Sequence, residues 1–357
     1  MSEQGERAGS HCFTGRVGQA VPPERFPPEN LIINPAQWNS EGNWAFCVFP
    51  ENDEVYAARF GFQRGSFDFT DFGGKPVENY LQLHVELLTK DGAVLWLPYG
   101  RFRAEQAITN AEIMDVRMAI DGRELFSLCG WPQQSWRFRS DDGEIGVDLK
   151  FDLFGAALLP DCLLPHNVFA MWAAAGRCAG RVWYGQRSWT VKGTVFHDHP
   201  RVKVQNNAVA RRQWYIYTPL VFQDGSVLFS YYTEDEKKRR IDSYCFGLLF
   251  EPDGRAHWLP DAELLDLKFD ADDLPVRWRL RWPKGLILEE AEVSVRPTTI
   301  LKSWGAPGAP QTRRDFVYIP LVLEGRGRRR SVEGKVVFLT AHGLAEYWRP
   351  PKTEKEN

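Results

Sequence analysis

The sequence predicts an all-β protein built of antiparallel barrels or sandwiches. Apolar and polar residues alternate with a period of two over long stretches, as in GEIGVDLKFDLFG at 143–155, and this period is typical of a strand with one wet face. Asp-Gly pairs separate such stretches, and glycine tolerates the positive φ of tight hairpin turns. Because open strand edges are a liability, meanders of this kind close into barrels or sandwiches.

The same two signals recur along the chain. Leu81, Leu83, Val85 and Leu87 alternate with Gln82, His84 and Glu86, and a similar alternation fills PVRWRLRW at 275–282. Asp-Gly pairs predict hairpins at 91–92, 121–122, 142–143, 224–225 and 253–254. Helical periodicity is scarce, and its best candidate is the short segment HNVFAMWAAAG at 166–176.

Length and composition indicate two domains. A chain of 357 residues suits two domains of ordinary size, and 14 Trp, 23 Phe and 11 Tyr supply rings for more than one core. The break is expected near Pro200–Ala210. We therefore predict a flexible segment at 1–29, a first domain at 30–203, a second at 204–349 and a disordered tail at 350–357.

Several functional classes lack support in the sequence. A net charge of -3 gives no reason to expect nucleic acid as a partner. None of the six cysteines forms a C-x-x-C pair, and we expect neither a metal nor another cofactor. No secretory signal and no run of about 18 apolar residues is visible, so we expect a cytoplasmic protein without an integral membrane span.

One part of the chain carries most of the candidate chemistry. It begins with Trp183, Tyr184 and Trp189, reaches His197-Asp198-His199, and continues with Arg211, Trp214, Tyr215 and Tyr217. If a strand runs unbroken from Trp189, its apolar face holds Trp189, Val191, Val195, His197 and His199, whereas Asp198 lies on the other face. We expect the histidines to point into a barrel and Asp198 to point outward. An outward-pointing Asp198 contacts a substrate in only two cases. Either the second domain covers the outer surface of the first barrel, or a β-bulge turns the Asp198 side chain towards the substrate.

Each of these residues also has a structural interpretation. A His-x-His pair needs a third ligand to hold a metal, and none is evident, whereas core hydrogen bonds also satisfy such histidines. Asp198 before Pro200 is also placed to cap a turn. Tryptophans commonly fill cores, and Arg211 suits a solvated strand start. No G-x-S-x-G and no phosphate-binding loop motif is present.

The segment resembles a known family. A His-Asp-His before the second domain, then an aromatic strand leading to an Asp-Gly turn, is similar to the carotenoid 1,2-hydratase (hydroxyneurosporene synthase) and AttH-like family. The closing EGKVVFLTAHGLAEYW, with Gly343 three residues before Glu346, resembles that family's last strands. The likeness runs from about Asn34 to Trp348. It implies two lipocalin-like domains, a relationship to natural-product cyclases of the Diels-Alderase type, and a catalytic acid at Asp198.

We therefore predict an enzyme that acts on a hydrophobic polyene or isoprenoid-like substrate. A carboxylic acid in an apolar pocket stays protonated near neutral pH and can protonate a C=C bond, after which water capture gives hydration and capture by another double bond gives cyclisation. Holding a reactive conformer could also promote a Diels-Alder-type cyclisation. Arg201 and Arg211 lie close in sequence, and a pair with either would keep Asp198 ionised instead.

The predicted site joins two groups of residues. The catalytic group is Asp198, His197 and His199, and the substrate-binding group is Trp183, Tyr184, Trp189, Arg211, Trp214, Tyr215, Tyr217 and Glu346. The partner is a hydrophobic small molecule, which transient contact with a membrane would help to collect. The alternative function is a non-catalytic lipocalin-like carrier, and the sequence alone does not separate the two.

Overall fold

A computed structural model describes most of the chain. The described residues are 31, 40–65, 69–70, 76–77, 79–98, 101–110, 114–158, 162–164, 167–204, 212–235, 237–285, 287–296, 298–305, 318–330 and 334–348. The predicted flexible segment 1–29, the predicted tail 350–357, Arg211 and most of the expected domain break fall outside them. Within the described residues the structure is all β, and its helical turns are two short 3-10 turns at Ala104–Gln106 and Asp242–Tyr244.

The described residues of the first half of the chain form fifteen strands. They are β1 Ser40–Val48, β2 Val55–Gly65, β3 Phe69–Thr70, β4 Pro76–Val77, β5 Tyr80–Thr89, β6 Gly92–Leu97, β7 Phe102–Arg103, β8 Ile108–Asn110, β9 Asp115–Ile120, β10 Arg123–Cys129, β11 Gln133–Arg139, β12 Ile145–Leu158, β13 Cys162–Leu164, β14 Asn167–Tyr184 and β15 Arg187–Val204.

The second half supplies eleven more. They are β16 Arg212–Tyr217, β17 Leu220–Phe222, β18 Val227–Asp235, β19 Phe246–Phe250, β20 Ala256–Leu259, β21 Glu263–Phe269, β22 Pro275–Arg281, β23 Leu288–Arg296, β24 Ile300–Gly305, β25 Tyr318–Arg330 and β26 Val336–Trp348.

Two large curled sheets contain nearly all of these strands. The first runs β24-β6-β5-β2-β1-β15-β14-β12-β11-β10-β9-β8, with β7 on β5 and β13 on β14. The second runs β20-β19-β18-β16-β26-β25-β23-β22-β21, with β17 beside β18 and β26. Among the described strands, every pairing is antiparallel except that of β24 with β6. The predicted all-β class is therefore confirmed.

The turn signals are confirmed as well. Each of the five Asp-Gly pairs joins two antiparallel neighbours, namely β5–β6, β9–β10, β11–β12, β17–β18 and β19–β20. The glycine of every pair has a positive φ, from 73° at Gly122 to 144° at Gly92. Residues other than glycine rarely adopt a positive φ, which explains why Asp-Gly pairs mark the hairpins so well.

Two cores lie on opposite faces of the first sheet. The inner core contains residues of that sheet's concave side, such as Phe60 and Trp136. The outer core joins the other face of the same strands, including Phe46 and Phe196, to the second sheet. Strands β5, β2, β1, β15 and β14 are thus covered on both sides, and this double coverage positions the candidate site.

Double coverage corrects two expectations from the sequence. The best helix candidate, at 166–176, is a strand in its described residues, since β14 begins at Asn167. Trp172 and Ala174 face the inner core while Met171, Ala173 and Ala175 face the outer core, so a strand buried on both sides reads as one continuous apolar run. The polar face of β5 is not wet either, since His84 and Glu86 are buried between the sheets. Of the described residues, no helix has the length and apolar character to cross a bilayer.

Strand β24 belongs to the second half of the chain but pairs with the first sheet. Its residue Trp304 lies opposite Trp96 of β6, and its ring centroid is 6.3 Å from that of Tyr184. The ammonium of Lys302 lies 4.5 Å from the Trp304 ring and also forms an ion pair with Glu144. Through this pairing, β24 joins the second half of the chain to the edge of the first sheet.

We predict that Trp304→Ala lowers the free energy of unfolding by about 1–2 kcal/mol, because it removes a half-buried ring and its cation–π contact. Urea denaturation measures this change. Leu301→Ala is the matched control on the same strand, where the side chain is 46% exposed, and we expect it to cost less than about 0.5 kcal/mol. Equal losses in the two variants would show that β24 does not fasten the two parts through Trp304.

Candidate active site

The His197-Asp198-His199 segment is divided between the two cores. Strand β15 runs unbroken through it, so side chains alternate between faces as the sequence predicted. His197 and His199 lie inside the first sheet, whereas Asp198 lies on the outer face, opposite Trp44 of β1. Because Pro200 also lies within the strand, Asp198 does not cap a turn.

Asp198 lies where the outer face of the first sheet meets the second sheet. Its side chain is only 5% exposed, and the Tyr217 hydroxyl donates a 3.0 Å hydrogen bond to its Oδ2. Burial raises the pKa of Asp198 well above its usual value, and the nearby charge of Glu346 raises it further. The Tyr217 hydrogen bond and the charge of Arg59 act in the opposite direction. Asp198 therefore favours its neutral, proton-carrying form.

The position of that proton follows from the hydrogen bonds. Oδ2 of Asp198 accepts from Tyr217, while Oδ1 is buried and has no hydrogen-bond partner among the described residues. An unpaired buried polar atom is costly, and Oδ1 is one of several such atoms among the described side chains. A proton on Oδ1 is available to a group that is not part of the described protein.

Arg59 is the cation of the site. It is 2% exposed, pairs with Glu346 of β26, and lies 4.7 Å from the Trp44 ring centroid and 5.4 Å from that of Phe46. The Tyr215 hydroxyl donates a 3.4 Å hydrogen bond to the second oxygen of Glu346. The ion pair of Arg59 with Glu346 thus joins the two sheets.

This arrangement corrects one of the two expected partners of Asp198, namely Arg201. Arg201 lies directly opposite Glu41 in the strand register, on the face that also holds the histidines, and Arg211 falls outside the described residues. The charge near Asp198 comes instead from Arg59, a residue more than a hundred positions earlier in the chain. Because that guanidinium is already paired with Glu346, it does not force Asp198 to ionise.

Two further titratable groups of β5 lie behind Arg59. A guanidinium nitrogen of Arg59 lies 3.3 Å from Nδ1 of His84, whose Nε2 lies 2.8 Å from a Glu86 oxygen. Burial and the Arg59 charge lower the pKa of His84. A neutral ring with its proton on Nε2 satisfies both contacts, since Nδ1 then accepts from Arg59 and Nε2 donates to Glu86. Burial raises the pKa of Glu86 to about 7, against the lowering effect of Arg59.

Aromatic rings form the remaining walls. The Tyr217 ring lies 4.9 Å from Phe46, 4.8 Å from Phe229 and 4.7 Å from Tyr231, measured between centroids. Gly61 of β2 leaves room for Trp44, since a Cβ there would come within 2.7 Å of that ring and 2.3 Å of a backbone oxygen. These contacts exclude water and give the carboxyls their low-dielectric surroundings.

The two histidines form a separate group inside the first sheet. His197 Nε2 and His199 Nδ1 lie 3.0 and 3.1 Å from the side-chain oxygen of Asn43. The Trp172 ring stacks on His199 at 5.2 Å. Burial lowers the pKa of both histidines, so they are neutral donors to Asn43. The described residues contain no group of three His, Cys, Asp or Glu side chains placed to hold a metal ion.

The predicted catalytic and substrate-binding residues therefore do not form one cluster. The structure brings Tyr215, Tyr217 and Glu346 to Asp198, whereas His197 and His199 lie on the opposite face of the strand. Trp214 points to the other side of β16 and donates to Glu234 at 2.9 Å.

The three aromatic residues at the far end of β14 and β15 are also elsewhere. Trp189 donates to Glu54 at 2.6 Å, and Tyr184 contacts Trp304. Trp183 lines an open groove of about 520 Å³, whose lining also includes Arg137, Arg181 and Arg187 but not Asp198. These residues do not contribute to the surroundings of the buried acid.

Sequence reasoning missed Arg59, Trp44, His84 and Glu86. Their signal was a charged or polar residue within a strongly apolar strand, as in VYAARFGF for Arg59. A polar residue in an apolar strand indicates that one face of the strand is polar. Whether that face is exposed to solvent or buried depends on where the second sheet packs, which the local sequence does not indicate.

Comparisons with known proteins support the fold. No family model and no curated protein matches the chain. An AttH-like protein from Nitrosomonas europaea is 11% identical with a TM-score of 0.58, over 92% of this chain and 99% of its own. Kievitone hydratase from Nectria haematococca is 10% identical with a TM-score of 0.55, over 92% and 95%. CghA is 11% identical with a TM-score of 0.52, over 88% and 90%. Identities this low show a shared lipocalin-type architecture alone.

We predict that Glu86→Gln becomes more stable relative to the wild type as pH rises from about 4.5 to about 7. An acid whose pKa is raised by folding binds its proton more tightly in the folded state, so the wild type loses stability across this window. The variant has no such loss, and the difference reaches at most about 3 kcal/mol. Denaturant unfolding at several pH values measures it.

Glu54→Gln is the control with the opposite sign. The side chain of Glu54 is 45% exposed, and its hydrogen bonds to Trp189 and Lys90 lower its pKa to about 2. Any stability it contributes is therefore lost only as pH falls from about 4.5 to about 2, and its difference from the wild type stays flat in the window of Glu86. A flat profile for Glu86→Gln as well would contradict the raised pKa of Glu86.

Proposed function

We propose that this protein is an enzyme that hydrates or cyclises a hydrophobic polyene or isoprenoid-like substrate, with Asp198 as the proton donor. The observation that carries the proposal is a buried carboxyl that favours its neutral form, receives a hydrogen bond from Tyr217 on one oxygen, and has no partner for the other among the described residues. Residues 30–203 and 204–349 form its two domains, and the substrate binds where they meet.

The reaction follows from the charges around Asp198. Its O–H bond breaks as a C–H bond forms on one alkene carbon, which leaves a carbocation on the other. The electron-rich face of Tyr217 stabilises that cation, as does the carboxylate of Glu346. Water adds to the cation in hydration and then loses a proton to the Asp198 carboxylate. In cyclisation a second C=C attacks, and a proton lost from the product cation restores the acid.

The solved relatives support the same class of chemistry. Kievitone hydratase is named for a hydration and shares the fold over nearly its whole length. A shared fold at 10% sequence identity does not establish a shared activity, so the proposal depends on the residues around Asp198. Aromatic rings pack around Tyr217 next to Asp198, and the nearby side chains of Arg59 and Glu346 are already paired with each other. This favours recognition by shape, as expected for a hydrocarbon-rich molecule.

We expect Asp198→Asn to abolish turnover while leaving the fold intact. The amide keeps the size of the acid and accepts from Tyr217 but donates no acidic proton, so the rate falls by roughly 100-fold or more. Polyene and prenylated compounds are incubated with each protein, and mass spectrometry detects gain of one water or an isomeric product. Asp152→Asn, an exposed residue of β12, is the matched control.

Infrared difference spectroscopy tests the acid without any substrate. Subtracting the Asp198→Asn spectrum from that of the wild type at neutral pH leaves the C=O absorption of a protonated carboxyl if Asp198 is neutral. A carboxylate signal in its place would contradict the acid role. If Asp198→Asn turns over substrate within a few-fold of the wild-type rate, the protein is a cyclase that acts by holding the shape of its substrate. If the wild type binds ligands without any turnover, it is a carrier.

A further inference from the structure

The β25–β26 hairpin exposes a run of apolar residues near its tip. Val336, Val337 and Phe338 are consecutive, and their exposed fractions are 41%, 39% and 63%. The other exposed large apolar side chains of the described residues, such as Ile108 and Phe269, occur singly. Scattered exposed apolar residues are normal on a protein surface, whereas a contiguous group marks a contact site.

The exposure lies on both faces of the strand. Alternation places Val336 and Phe338 on one face and Val337 on the other. A second chain that paired with this strand edge would satisfy the backbone groups but would leave both side-chain faces in water. A fluid apolar medium that surrounds the tip covers both faces at once, which favours lipid over a paired strand.

Cations stand beside these apolar residues. Arg330 lies opposite Val336 and Arg328 opposite Phe338 in the strand register. Residues 326–338 contain five Lys or Arg and one acid, Glu333, which falls outside the described residues. Two of these cations pair with acids elsewhere: Arg326 with Glu292, and the buried Arg329 with Asp224 and Glu251.

The two arginines opposite the apolar residues carry two positive charges and share a single carboxylate. Arg328 and Arg330 share one carboxylate, Glu289, at 3.2 and 2.6 Å, and the exposed Lys335 is next to Val336 in the sequence. Both arginines stay close to half exposed, so their guanidinium groups are accessible to external phosphates.

We propose that the tip of this hairpin docks the protein onto anionic lipid membranes. Val336, Val337 and Phe338 enter the boundary between head groups and acyl chains, and Arg328, Arg330 and Lys335 contact the lipid phosphates. Apolar insertion and attraction between basic side chains and anionic lipids together are the usual requirements for such binding. This inference is independent of the chemistry at Asp198.

Co-sedimentation of the full chain with vesicles tests the proposal. The wild type is expected to bind vesicles of equal parts phosphatidylcholine and phosphatidylglycerol, and to bind more weakly to phosphatidylcholine alone or at high salt. Phe338→Ser should weaken binding roughly tenfold or more through lost apolar burial. Lys335→Glu should weaken it about tenfold through charge, and only for the anionic vesicles.

The controls separate lipid binding from misfolding and from self-association. Ile108→Ser, at the most exposed apolar residue elsewhere, should leave vesicle binding unchanged, and circular dichroism verifies that each variant folds. Equal binding by wild type and Phe338→Ser overturns the proposal, as does a wild type that stays in solution with both vesicle types. Sedimentation velocity that shows Phe338→Ser dissociating a dimer, with vesicle binding unchanged, identifies a second copy as the partner instead.

Discussion

The buried guanidinium of Arg59 is the constraint on which the candidate site depends. Removing a permanent charge from water costs several kcal/mol or more unless opposite charge and hydrogen bonds replace the water. The first sheet supplies His84 and Glu86, but the direct ion pair comes from Glu346, on the last strand of the second sheet. The outer apolar core also packs the two sheets together, and the pair of Arg59 with Glu346 compensates the buried guanidinium at the point where β2 lies near β26.

The same constraint explains why the site contains a carboxyl group that favours its neutral form. Three carboxyl groups, those of Asp198, Glu86 and Glu346, surround a single guanidinium, and His84 is neutral. One buried cation compensates about one carboxylate, so the remaining acids are favoured in their neutral form. Glu346 has the closest contact with Arg59. Asp198 is thus the acid left to carry a proton on the side that faces the aromatic rings.

Local patterns in the sequence predicted what depends on neighbouring residues. The alternation of β15 placed Asp198 and the histidines on opposite faces, and the Asp-Gly pairs marked five hairpins. Features that depend on how the second sheet packs against the first could not be predicted from local sequence patterns. The polar residues of β5 alternate just as a solvent-facing strand would, and the apolar start of β14 lacks the alternation of a half-buried one. Arg59 joins Glu346 across nearly the whole length of the chain, and no local pattern indicates that pair.

Strand β26 relates the site to the rest of the molecule. It begins at the exposed Val336 and reaches Glu346 ten residues later, a span of about 33 Å at the usual rise of a strand. That distance exceeds the depth of about 5–10 Å to which interfacial segments enter a bilayer. Under the two proposals above, a substrate taken from the membrane leaves the lipid before it reaches Asp198. The aromatic rings around Tyr217 have to replace the lipid as its apolar surroundings, and the same rings keep Asp198 protonated.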